Sequence, residues 1–259
     1  MRIIAIFNQK GGVAKTTTTI NLGAALAAKN KKVLIIDIDP QSNGSTGLGF
    51  SKSELLKMAT AYDCMQNEIP IKDVIVSTKY NNIYLVPSNK KTANSEQTLT
   101  SVVGREKLLK YSIDMCKDEL DFDYILIDFP PSLGIMTING LVAANEIIIP
   151  VECEGPDALD GINDLLNTIH LVKVKAELNP ELEIKGALLT KYMPTNLAKE
   201  IYSELKNYFG DRVFENVIRK CVAVGNAKKE HVPVIYFDSK CTSSEDYLAF
   251  AEEVMGSEA

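Results

Sequence analysis

A loop rich in glycine and lysine follows the first apolar run of the chain. It reads Asn8-Gln9-Lys10-Gly11-Gly12-Val13-Ala14-Lys15-Thr16-Thr17 and opens a segment of helical spacing, Thr17–Lys29. Glycines in a strand-to-helix turn allow backbone N–H groups to point at phosphate oxygens without a Cβ in the way. The N-terminus of the following helix adds partial positive charge. The loop therefore predicts a phosphate-binding site, and the alternative is a glycine-rich turn with surface lysines.

Two residues of this loop carry the groups that a magnesium–nucleotide complex needs. Lys15 is placed to reach the β and γ phosphates, and the Thr16 hydroxyl is placed to ligate Mg²⁺. The loop departs from the GxxxxGK[ST] pattern, because Gln9 and Ala14 occupy its two glycine positions. It also carries an extra lysine, Lys10, five residues before Lys15. If the position of Ala14 requires a positive φ, alanine costs about 1 kcal/mol there relative to glycine.

Three aspartates end apolar runs that read as strands. Asp37 and Asp39 close the second such run, and Asp128 closes the fourth. Carboxylates beside a phosphate site would repel ATP unless a divalent cation or the proton of an attacking water intervenes. Asp128 at the tip of its strand is placed to hold Mg²⁺ directly or through water, while the residues alone leave the roles of Asp37 and Asp39 open. Taken alone, Asp39 before Pro40 also fits a turn or a helix cap.

Short apolar runs alternate with longer segments of helical period along the chain. The predicted strands are Ile3–Phe7, Val33–Asp37, Ile83–Pro87, Tyr124–Asp128, Ile147–Val151, Ile184–Thr190 and Val213–Ile218. The predicted helices are Thr17–Lys29, Arg105–Glu119, Ile135–Ala144, Asp160–Leu178 and Leu197–Phe209, and residues 43–77 read as loop with short helices. This alternation is typical of an α/β fold with a doubly wound, mostly parallel sheet and helices on both faces. We expect one P-loop domain over residues 1–259, with ligands at the carboxyl ends of the strands.

The composition narrows the class of protein. The 259 residues carry 28 Lys+Arg and 34 Asp+Glu, a net charge of −6, and 46% of them are hydrophobic. These values exclude a globally basic DNA-coating protein and a wholly disordered chain. The five cysteines form no CxxC pair, which argues against a zinc cluster or an extracellular disulfide framework. The N-terminal apolar run is too short for a secretory signal and no run reaches the length of a membrane span, so we expect a cytoplasmic protein.

The loop and the aspartates together resemble the deviant Walker A superfamily of ParA/MinD dimeric ATPases. The segment Lys10-Gly11-Gly12-x-x-Lys15-Thr16 is similar to the KGGxGKT loop of that superfamily. Asp37-x-Asp39-Pro40-Gln41 is similar to its DxDPQ motif, and Asp128-Phe129-Pro130-Pro131-Ser132 to its DxPPS motif. Three motifs in the expected order make a far more specific signal than any one of them.

The resemblance implies ATP and Mg²⁺ as cofactors and a homodimer in the ATP state. The residues implied to hold the nucleotide are Lys10, Gly11, Gly12, Val13, Ala14, Lys15, Thr16 and Thr17. The implied catalytic residues are Lys10, which crosses to the ATP of the other subunit, Lys15, and Asp39, which positions or activates the attacking water. The implied metal site comprises Thr16, Asp37 and Asp128, and adenine is expected near the loop after Ile184–Thr190 and the loop Val222–Ala227.

Partition ATPases of the ParA/Soj type match more of the chain than other members do. The segment Pro233-Val234-Ile235-Tyr236-Phe237-Asp238 fits their C-terminal pattern. MinD-type proteins end in a basic membrane-binding helix, whereas residues 245–259 are acidic, so we expect no membrane anchoring. Iron–sulfur relatives need cluster cysteines, and Cys153 has no well-placed second cysteine.

Basic residues concentrate in the C-terminal third of the chain. Residues 185–229 contain nine basic and four acidic side chains, a net +5 that leaves −11 for the rest. The partition resemblance implies non-specific DNA binding, and the candidate residues are Lys199, Arg219, Lys220, Lys228 and Lys229. A local cationic segment suits weak, salt-sensitive phosphate contacts. A solvated helix face with ordinary lysines is the alternative.

These observations lead to one functional prediction. We expect an ATPase switch for plasmid or chromosome partition that dimerises with ATP, binds nucleoid DNA as the dimer, and is released when a ParB-like partner stimulates slow hydrolysis. Two alternatives stay open. The same switch could position another cargo, such as a chemotaxis cluster or an enzyme microcompartment, or the chain could be a metabolic P-loop enzyme.

Overall fold

The computed structural model describes residues 1–155 and 157–256. Within them, seven strands form one sheet in the order β3-β4-β2-β5-β1-β6-β7. The strands are β1 (Arg2–Ile6), β2 (Val33–Asp37), β3 (Val76–Ser77), β4 (Ile83–Val86), β5 (Tyr124–Asp128), β6 (Glu146–Glu152) and β7 (Glu183–Thr190). All neighbours pair in parallel except β3 and β4. The predicted mostly parallel sheet is confirmed.

Helices connect the strands and cover both faces of the sheet. They are α1 (Lys15–Ala28), α2 (Asn43–Gly47), α3 (Lys52–Leu55), α4 (Ala61–Asn67), α5 (Ser95–Thr98), α6 (Leu108–Asp114), α7 (Ile135–Ala143), α8 (Ile162–His170), α9 (Asn196–Phe209), α10 (Val222–Lys229), α11 (Val234–Phe237) and α12 (Thr242–Gly256). Single turns of 3₁₀ or π helix occupy Ile71–Val74, Lys90–Asn94, Arg105–Lys107, Lys117–Glu119, Leu171–Lys175 and Gly210–Arg212.

Alternating side chains of the central strands belong to two apolar clusters, one on each face of the sheet. In β1, Ile3 and Ala5 pack into the cluster that includes α4, α6 and α7, while Ile4 and Ile6 pack into the cluster beneath α1 and α12. Such strands are apolar at every position because both faces are covered. The C-terminal helix α12 is part of this core, since its Tyr247 and Phe250 are buried. In the described part of the chain, no helix combines the length and apolar composition needed to cross a bilayer.

The predicted strand Val213–Ile218 is wrong. Phe214 and Ile218 donate backbone hydrogen bonds to Ala187 and Leu189 of β7, as a strand would. Between them, however, the backbone N–H groups of Glu215 and Asn216 donate to the carboxylate of Glu253 on α12, at 2.7 and 3.0 Å. Because a side chain takes the donors that a sheet ladder needs, the segment meets β7 only at separate points.

Two predicted helices are interrupted, and one predicted loop is a helix. In the helix predicted over Arg105–Glu119, the Asn139 side-chain amide accepts a hydrogen bond from Leu109 N–H at 3.0 Å and donates one to the Arg105 carbonyl at 2.7 Å. In a continuous helix, Leu109 N–H would donate to the Arg105 carbonyl instead. The helix predicted over residues 160–178 begins at Ile162 and passes into a π turn after His170. The predicted loop at Val222–Ala227 lies inside helix α10.

Candidate functional site

The glycine-rich loop joins β1 to α1, and its backbone conformation depends on two residues with positive φ. Gly12 has φ +82° and Ala14, which precedes the first turn of α1, has φ +69°. A Cβ built on Gly11 or Gly12 would meet no protein atom within 4 Å. Protein packing therefore gives no steric reason for glycine at position 11, whereas a ligand approaching the backbone closely does. The open cradle fits an anion at the N-terminus of α1.

Lys15 lies at the base of this cradle. Its side chain is buried, and its Nζ donates to the Lys10 carbonyl at 2.9 Å. Burial lowers the pKa of Lys15, while Asp128 and Asp39 oppose that shift. An anionic partner strongly stabilises the charged form of a cation that is buried in this way. The geometry agrees with the predicted phosphate contact of Lys15.

The extra lysine of the loop turns away from the cradle. The Lys10 Nζ donates to the Asp157 carboxylate at 2.8 Å and to the Asp157 carbonyl at 2.7 Å, and it lies 3.7 Å from Glu152 Oε1. The Lys10 ammonium holds the pKa of Asp157 below its usual range. Lys10 is therefore bound to the loop that follows β6 of its own chain.

Asp37 and Asp128 stand side by side at the ends of β2 and β5, because they are register partners. Asp37 is fully occupied: Oδ2 accepts from the Ser45 N–H and hydroxyl, both at 2.7 Å, and Oδ1 accepts from Asp39 N–H at 3.0 Å. Burial raises the pKa of Asp37 to about 7. Gly44 permits this approach of α2, because a Cβ there would lie 3.0 Å from oxygens of both carboxyls.

Unlike Asp37, Asp128 has a carboxylate oxygen that accepts no hydrogen bond from the described residues. Its Oδ1 lies 3.4 Å from the Thr19 hydroxyl, whereas Oδ2 is buried and has no hydrogen-bond partner among the described residues. Burial and the neighbouring Asp37 raise the pKa of Asp128, and the Thr16 hydroxyl opposes that shift. An orphaned carboxylate oxygen beside a hydroxyl is a donor set that suits Mg²⁺. Within residues 1–155 and 157–256, no group of three or more His, Cys, Asp or Glu side chains is arranged so that it could hold a metal ion.

Asp39 lies on the turn between β2 and α2. It is 5% exposed, and its Oδ1 accepts from Gln41 N–H at 2.9 Å. Burial raises the pKa of Asp39, while Gln41 and Lys15 oppose the rise. The hydrogen bond to Gln41 has the form of a turn carboxylate, as the alternative interpretation expects. Asp39 nevertheless lines the same cleft as Lys15 and Thr16, which is what the catalytic assignment requires.

Lys15, Thr16 and Asp39 share one cleft of about 390 Å³ above the N-terminus of α1, whereas Asp37 and Asp128 do not line it. Its lining residues are Gly11, Gly12, Ala14, Lys15, Thr16, Thr17, Asp39, Gln41, Asn43, Phe129, Pro131, Lys191 and Lys228. Lys10 is not among them. Sequence reasoning missed Lys191, although a lysine directly after a predicted strand end was a usable signal. It placed Lys228 among DNA contacts, whereas the structure puts this side chain in the cleft.

A second cavity of about 230 Å³ adjoins the first. Ala14 and Thr17 line both cavities, and Val224 and Gly225 of α10 close the second. Its walls are mainly apolar, as a nucleotide base requires. The cavity brings together the end of β7 and the segment 222–227, the two places where adenine was expected.

The five candidate DNA contacts have different surroundings. Arg219 pairs with Asp246 at 2.6 Å and lies 3.6 Å from Glu245. Lys220 pairs with Glu154 at 2.5 Å. Lys199 on α9 and Lys229 on α10 are exposed, and neither forms an ion pair among the residues that the structure describes. The net positive charge of this segment is thus partly neutralised in the folded chain.

A phosphate cradle that joins a parallel strand to a helix, with a buried lysine and an acidic strand end beside it, defines a P-loop nucleoside-triphosphatase. The family model described as an AAA domain matches residues 1–184. The sporulation initiation inhibitor protein Soj of Bacillus subtilis is 42% identical over 254 residues, which cover 98% of each chain. The chromosome partitioning protein ParA of Caulobacter vibrioides is 39% identical and covers 100% of this chain and 95% of its own. The chain belongs to this Soj/ParA family of partition ATPases.

Solved structures show the same fold. A cobyrinic acid a,c-diamide synthase from Mycobacterium smegmatis with bound ADP and magnesium is 32% identical, with a TM-score of 0.83 over 98% of this chain and 94% of that one. A putative plasmid partition protein from Borrelia burgdorferi bound to AMPPNP is 26% identical, with a TM-score of 0.80 over 100% and 99% of the two chains. The P-loop fold predicted from the motifs is confirmed.

Proposed function

We propose that this chain is an ATP-dependent dimerising switch for DNA partition. The observation that carries the proposal is the position of Lys10, which lies outside the phosphate cleft of its own chain while Lys15 lies inside it. A second cation directed at the phosphates from another subunit makes association depend on the γ-phosphate. Lys10 would thereby report nucleotide occupancy across the dimer interface.

ATP and Mg²⁺ fit the cleft as its ligands. Lys15 and the backbone N–H groups of the loop would hold the phosphates, and Thr16 and Asp128 would hold the cation, which neutralises charge on the phosphates when bound. Asp37 holds α2 and the Asp39 turn in place through its three hydrogen bonds. Asp39 would orient the attacking water and accept its proton.

The dimer would bind DNA without sequence preference and remain on the nucleoid until hydrolysis. Lys199 and Lys229 are the most available cations for phosphate contacts, because Arg219 and Lys220 are already paired with acidic residues. A ParB-like partner that stimulates hydrolysis would then release the dimer. Slow intrinsic turnover suits such a timer better than it suits a metabolic catalyst.

Size-exclusion chromatography with and without MgATP tests the switch. We expect ATP-dependent dimerisation of the wild type, loss of the dimer in Lys10→Ala, and a persistent dimer in Asp39→Ala. Lys57→Ala, which removes an exposed lysine from the loop after α3, is the matched control and should behave as wild type. Monomers in all four proteins with MgATP would overturn the dimerisation mechanism.

DNA binding is tested separately by titrating salt into the dimer on duplex DNA. We expect binding only with MgATP, weakening steeply as salt rises. Binding that is equal with and without nucleotide would contradict the nucleotide-gated part of the proposal.

A metabolic P-loop enzyme is the second candidate, because the Mycobacterium smegmatis relative at 32% identity bears the name of an amide-forming synthase. That function predicts steady ATP turnover by a monomer on addition of a small carboxylic acid. A switch that positions another cargo predicts the same dimerisation as partition and differs in the partner that stimulates hydrolysis.

A further inference from the structure

Lys191 stands where the two cavities of the site meet. Ala14, Thr17 and Lys191 line both the phosphate cleft and the adjoining apolar cavity, and only Lys191 of the three is charged. A nucleotide with its β and γ phosphates on the loop and its base in the second cavity must cross this junction with its ribose and α-phosphate. The junction therefore places a cation at the part of the nucleotide that no other side chain of the site has yet been assigned to bind.

The other cations of the upper site line only one of these two cavities. Lys228 lines the phosphate cleft and not the second cavity, whereas Arg219 and Lys220 line the second cavity and not the cleft. Asp246 pairs with Arg219 at 2.6 Å, and Glu154 pairs with Lys220 at 2.5 Å. Position along the site thus distinguishes Lys191 from each of them.

The backbone of Lys191 is held in an unfavourable conformation. Lys191 follows the last residue of β7 and has φ +51°, in the left-handed region where a Cβ is disfavoured. Its two neighbours are fixed, because the Thr190 carbonyl accepts from Cys153 N–H at 3.0 Å and Tyr192 N–H donates to the Ile218 carbonyl at 2.9 Å. Strained residues of this kind concentrate at functional sites. A long cationic side chain where glycine would be relaxed indicates a role for that side chain.

Glu152 holds the Lys191 ammonium in the free chain. Glu152 ends β6 and is the register partner of Thr190, so Lys191 lies one residue beyond it. The Lys191 Nζ donates to Glu152 Oε2 at 2.8 Å and lies 3.7 Å from Glu154 Oε2. The other oxygen of Glu152 lies 3.7 Å from the Lys10 Nζ. The Lys191 side chain is 35% exposed against 14% for Glu152, so its ammonium keeps an open side for a further anionic partner.

We propose that Lys191 binds the α-phosphate of the nucleotide and that Glu152 competes with the nucleotide for this lysine. The assignment deepens the proposed function, because it rests on the nucleotide lying across both cavities. An ammonium on a flexible four-carbon stem has three donors, so it turns from a carboxylate to a phosphate without movement of the backbone. Lys15 then serves the β and γ phosphates and Lys191 the α-phosphate. Because ADP keeps its α-phosphate, Lys191 retains its contact after hydrolysis, whereas the proposed contact of Lys10 depends on the γ-phosphate.

Binding of adenosine, AMP and MgADP to Lys191→Gln tests the phosphate contact, with displacement of a fluorescent ADP analogue as the readout. We expect AMP and MgADP to bind about three- to tenfold more weakly than to wild type, by the same factor, because both carry the α-phosphate. Adenosine affinity should not change, and Lys191→Arg should restore most of the AMP and MgADP affinity. Lys185→Gln, which removes a lysine of β7 that lines neither cavity, is the matched control and should bind all three as wild type does.

Three results of this experiment would overturn the contact. Unchanged affinities in Lys191→Gln would show that the lysine binds no part of the nucleotide. An equal loss for adenosine would show that the substitution only disturbs the apolar cavity, and a loss for MgADP without a loss for AMP would move the contact to the β-phosphate.

Glu152→Gln tests the competition. Without its charge, position 152 holds Lys191 less tightly, so we expect MgADP to bind about two- to fivefold more tightly, and we expect no such gain in the double variant Glu152→Gln/Lys191→Gln compared with Lys191→Gln alone. An equal gain with and without Lys191 would mean that Glu152 only repels the phosphates. No gain at all would likewise refute the competition.

The probes contain no γ-phosphate, which keeps this test apart from dimerisation. A wild type that fails to dimerise with MgATP would contradict the proposed switch and leave the AMP and MgADP results standing. Normal dimerisation with unchanged AMP and MgADP affinities in Lys191→Gln would refute the role of Lys191 alone. A wild type that binds no MgADP would contradict both.

Discussion

The Lys10 ammonium and the Asp157 carboxylate of the same chain form a direct ion pair, with 2.8 Å between Nζ and Oδ2. The Asp157 carbonyl accepts a second hydrogen bond from the same Nζ at 2.7 Å. These contacts hold Lys10 on its own subunit. If Lys10 must reach the nucleotide of a partner subunit, this ion pair has to break first.

Removing the charge of Asp157 should therefore favour the ATP dimer. Asp157→Asn keeps the size of the side chain and weakens the contact that holds Lys10 in cis. Two copies of Lys10 are released per dimer, so the effect of one exposed ion pair is squared, and we expect dimerisation to tighten by about two- to thirtyfold. Analytical ultracentrifugation with MgATP measures the shift.

Asp160→Asn is the control for that experiment, because Asp160 is an exposed carboxylate on the same segment. It should leave the dimerisation constant unchanged. If Lys10→Ala abolishes the dimer but Asp157→Asn and Asp160→Asn both dimerise as the wild type does, the cis ion pair does not restrain Lys10.

The paired aspartates predict how stability depends on pH. Burial raises the pKa of Asp37 to about 7 and the pKa of Asp128 well above its ordinary value. Both carboxyls lose their protons near pH 4 in the unfolded chain. Between about pH 4 and pH 7 the folded chain binds more protons than the unfolded chain, so the free energy of unfolding contributed by this pair falls as pH rises. Urea unfolding without nucleotide or Mg²⁺ measures that slope.

Asp128→Asn removes one member of the pair and is the variant to compare. We expect it to flatten the pH dependence and to raise the free energy of unfolding at pH 7.5, because no second buried charge then faces Asp37. The same variant should lose Mg²⁺-dependent nucleotide binding, since the oxygen without a partner is gone. Parallel pH profiles for Asp128→Asn and wild type would contradict the linkage.

The phosphate loop and the central strands were predictable because the interactions that form them are local or belong to a repeated pattern. The strand β5 is apolar throughout and ends at Asp128, as predicted. Two of the errors fell where a distant side chain binds a backbone group that a strand or helix would use. Glu253 captures N–H groups 38 and 37 residues away and prevents a strand, and Asn139 breaks a helix 34 residues away.

In the site, too, the positions set by local motifs were predictable and the contacts between distant residues were not. The sequence motifs predicted that Lys15 and Asp39 share one cleft and that Asp128 ends a neighbouring strand of the same sheet, because these residues lie at the carboxyl ends of parallel strands. They did not reveal that Lys10 would bind Asp157, because the two residues are 147 positions apart and Asp157 belongs to no motif. Nor did they show that both carboxylate oxygens of Asp37 accept hydrogen bonds, one from Ser45 and one from Asp39 N–H.

Ala14 carries strain that glycine would relieve. Its φ of +69° lies in the left-handed region, where a Cβ is unfavourable. We expect Ala14→Gly to raise the free energy of unfolding by about 0.5–1 kcal/mol, the conformational preference exceeding the entropy that glycine adds to the unfolded chain. Thermal or urea unfolding of the nucleotide-free protein measures this difference.

Ala28→Gly provides the opposite control on the same helix. Ala28 is the exposed last residue of α1, so glycine there should lower the free energy of unfolding by up to about 1 kcal/mol. A decrease in stability for Ala14→Gly as well would show that the loop does not store the strain that its backbone angle indicates.

The adjacent lysines Lys228 and Lys229 at the end of α10 allow a test of where the nucleotide site stops and the proposed DNA surface begins. Both lysines are exposed, but Lys228 lines the phosphate cleft, whereas Lys229 lines neither of the two cavities of the site. Lys228→Gln should weaken MgATP binding by several-fold, because a cation near the phosphates is lost. Lys229→Gln should leave MgATP binding unchanged and lower the affinity of the ATP dimer for DNA, with a smaller dependence on salt. Equal effects of the two variants on nucleotide affinity would remove Lys228 from the site.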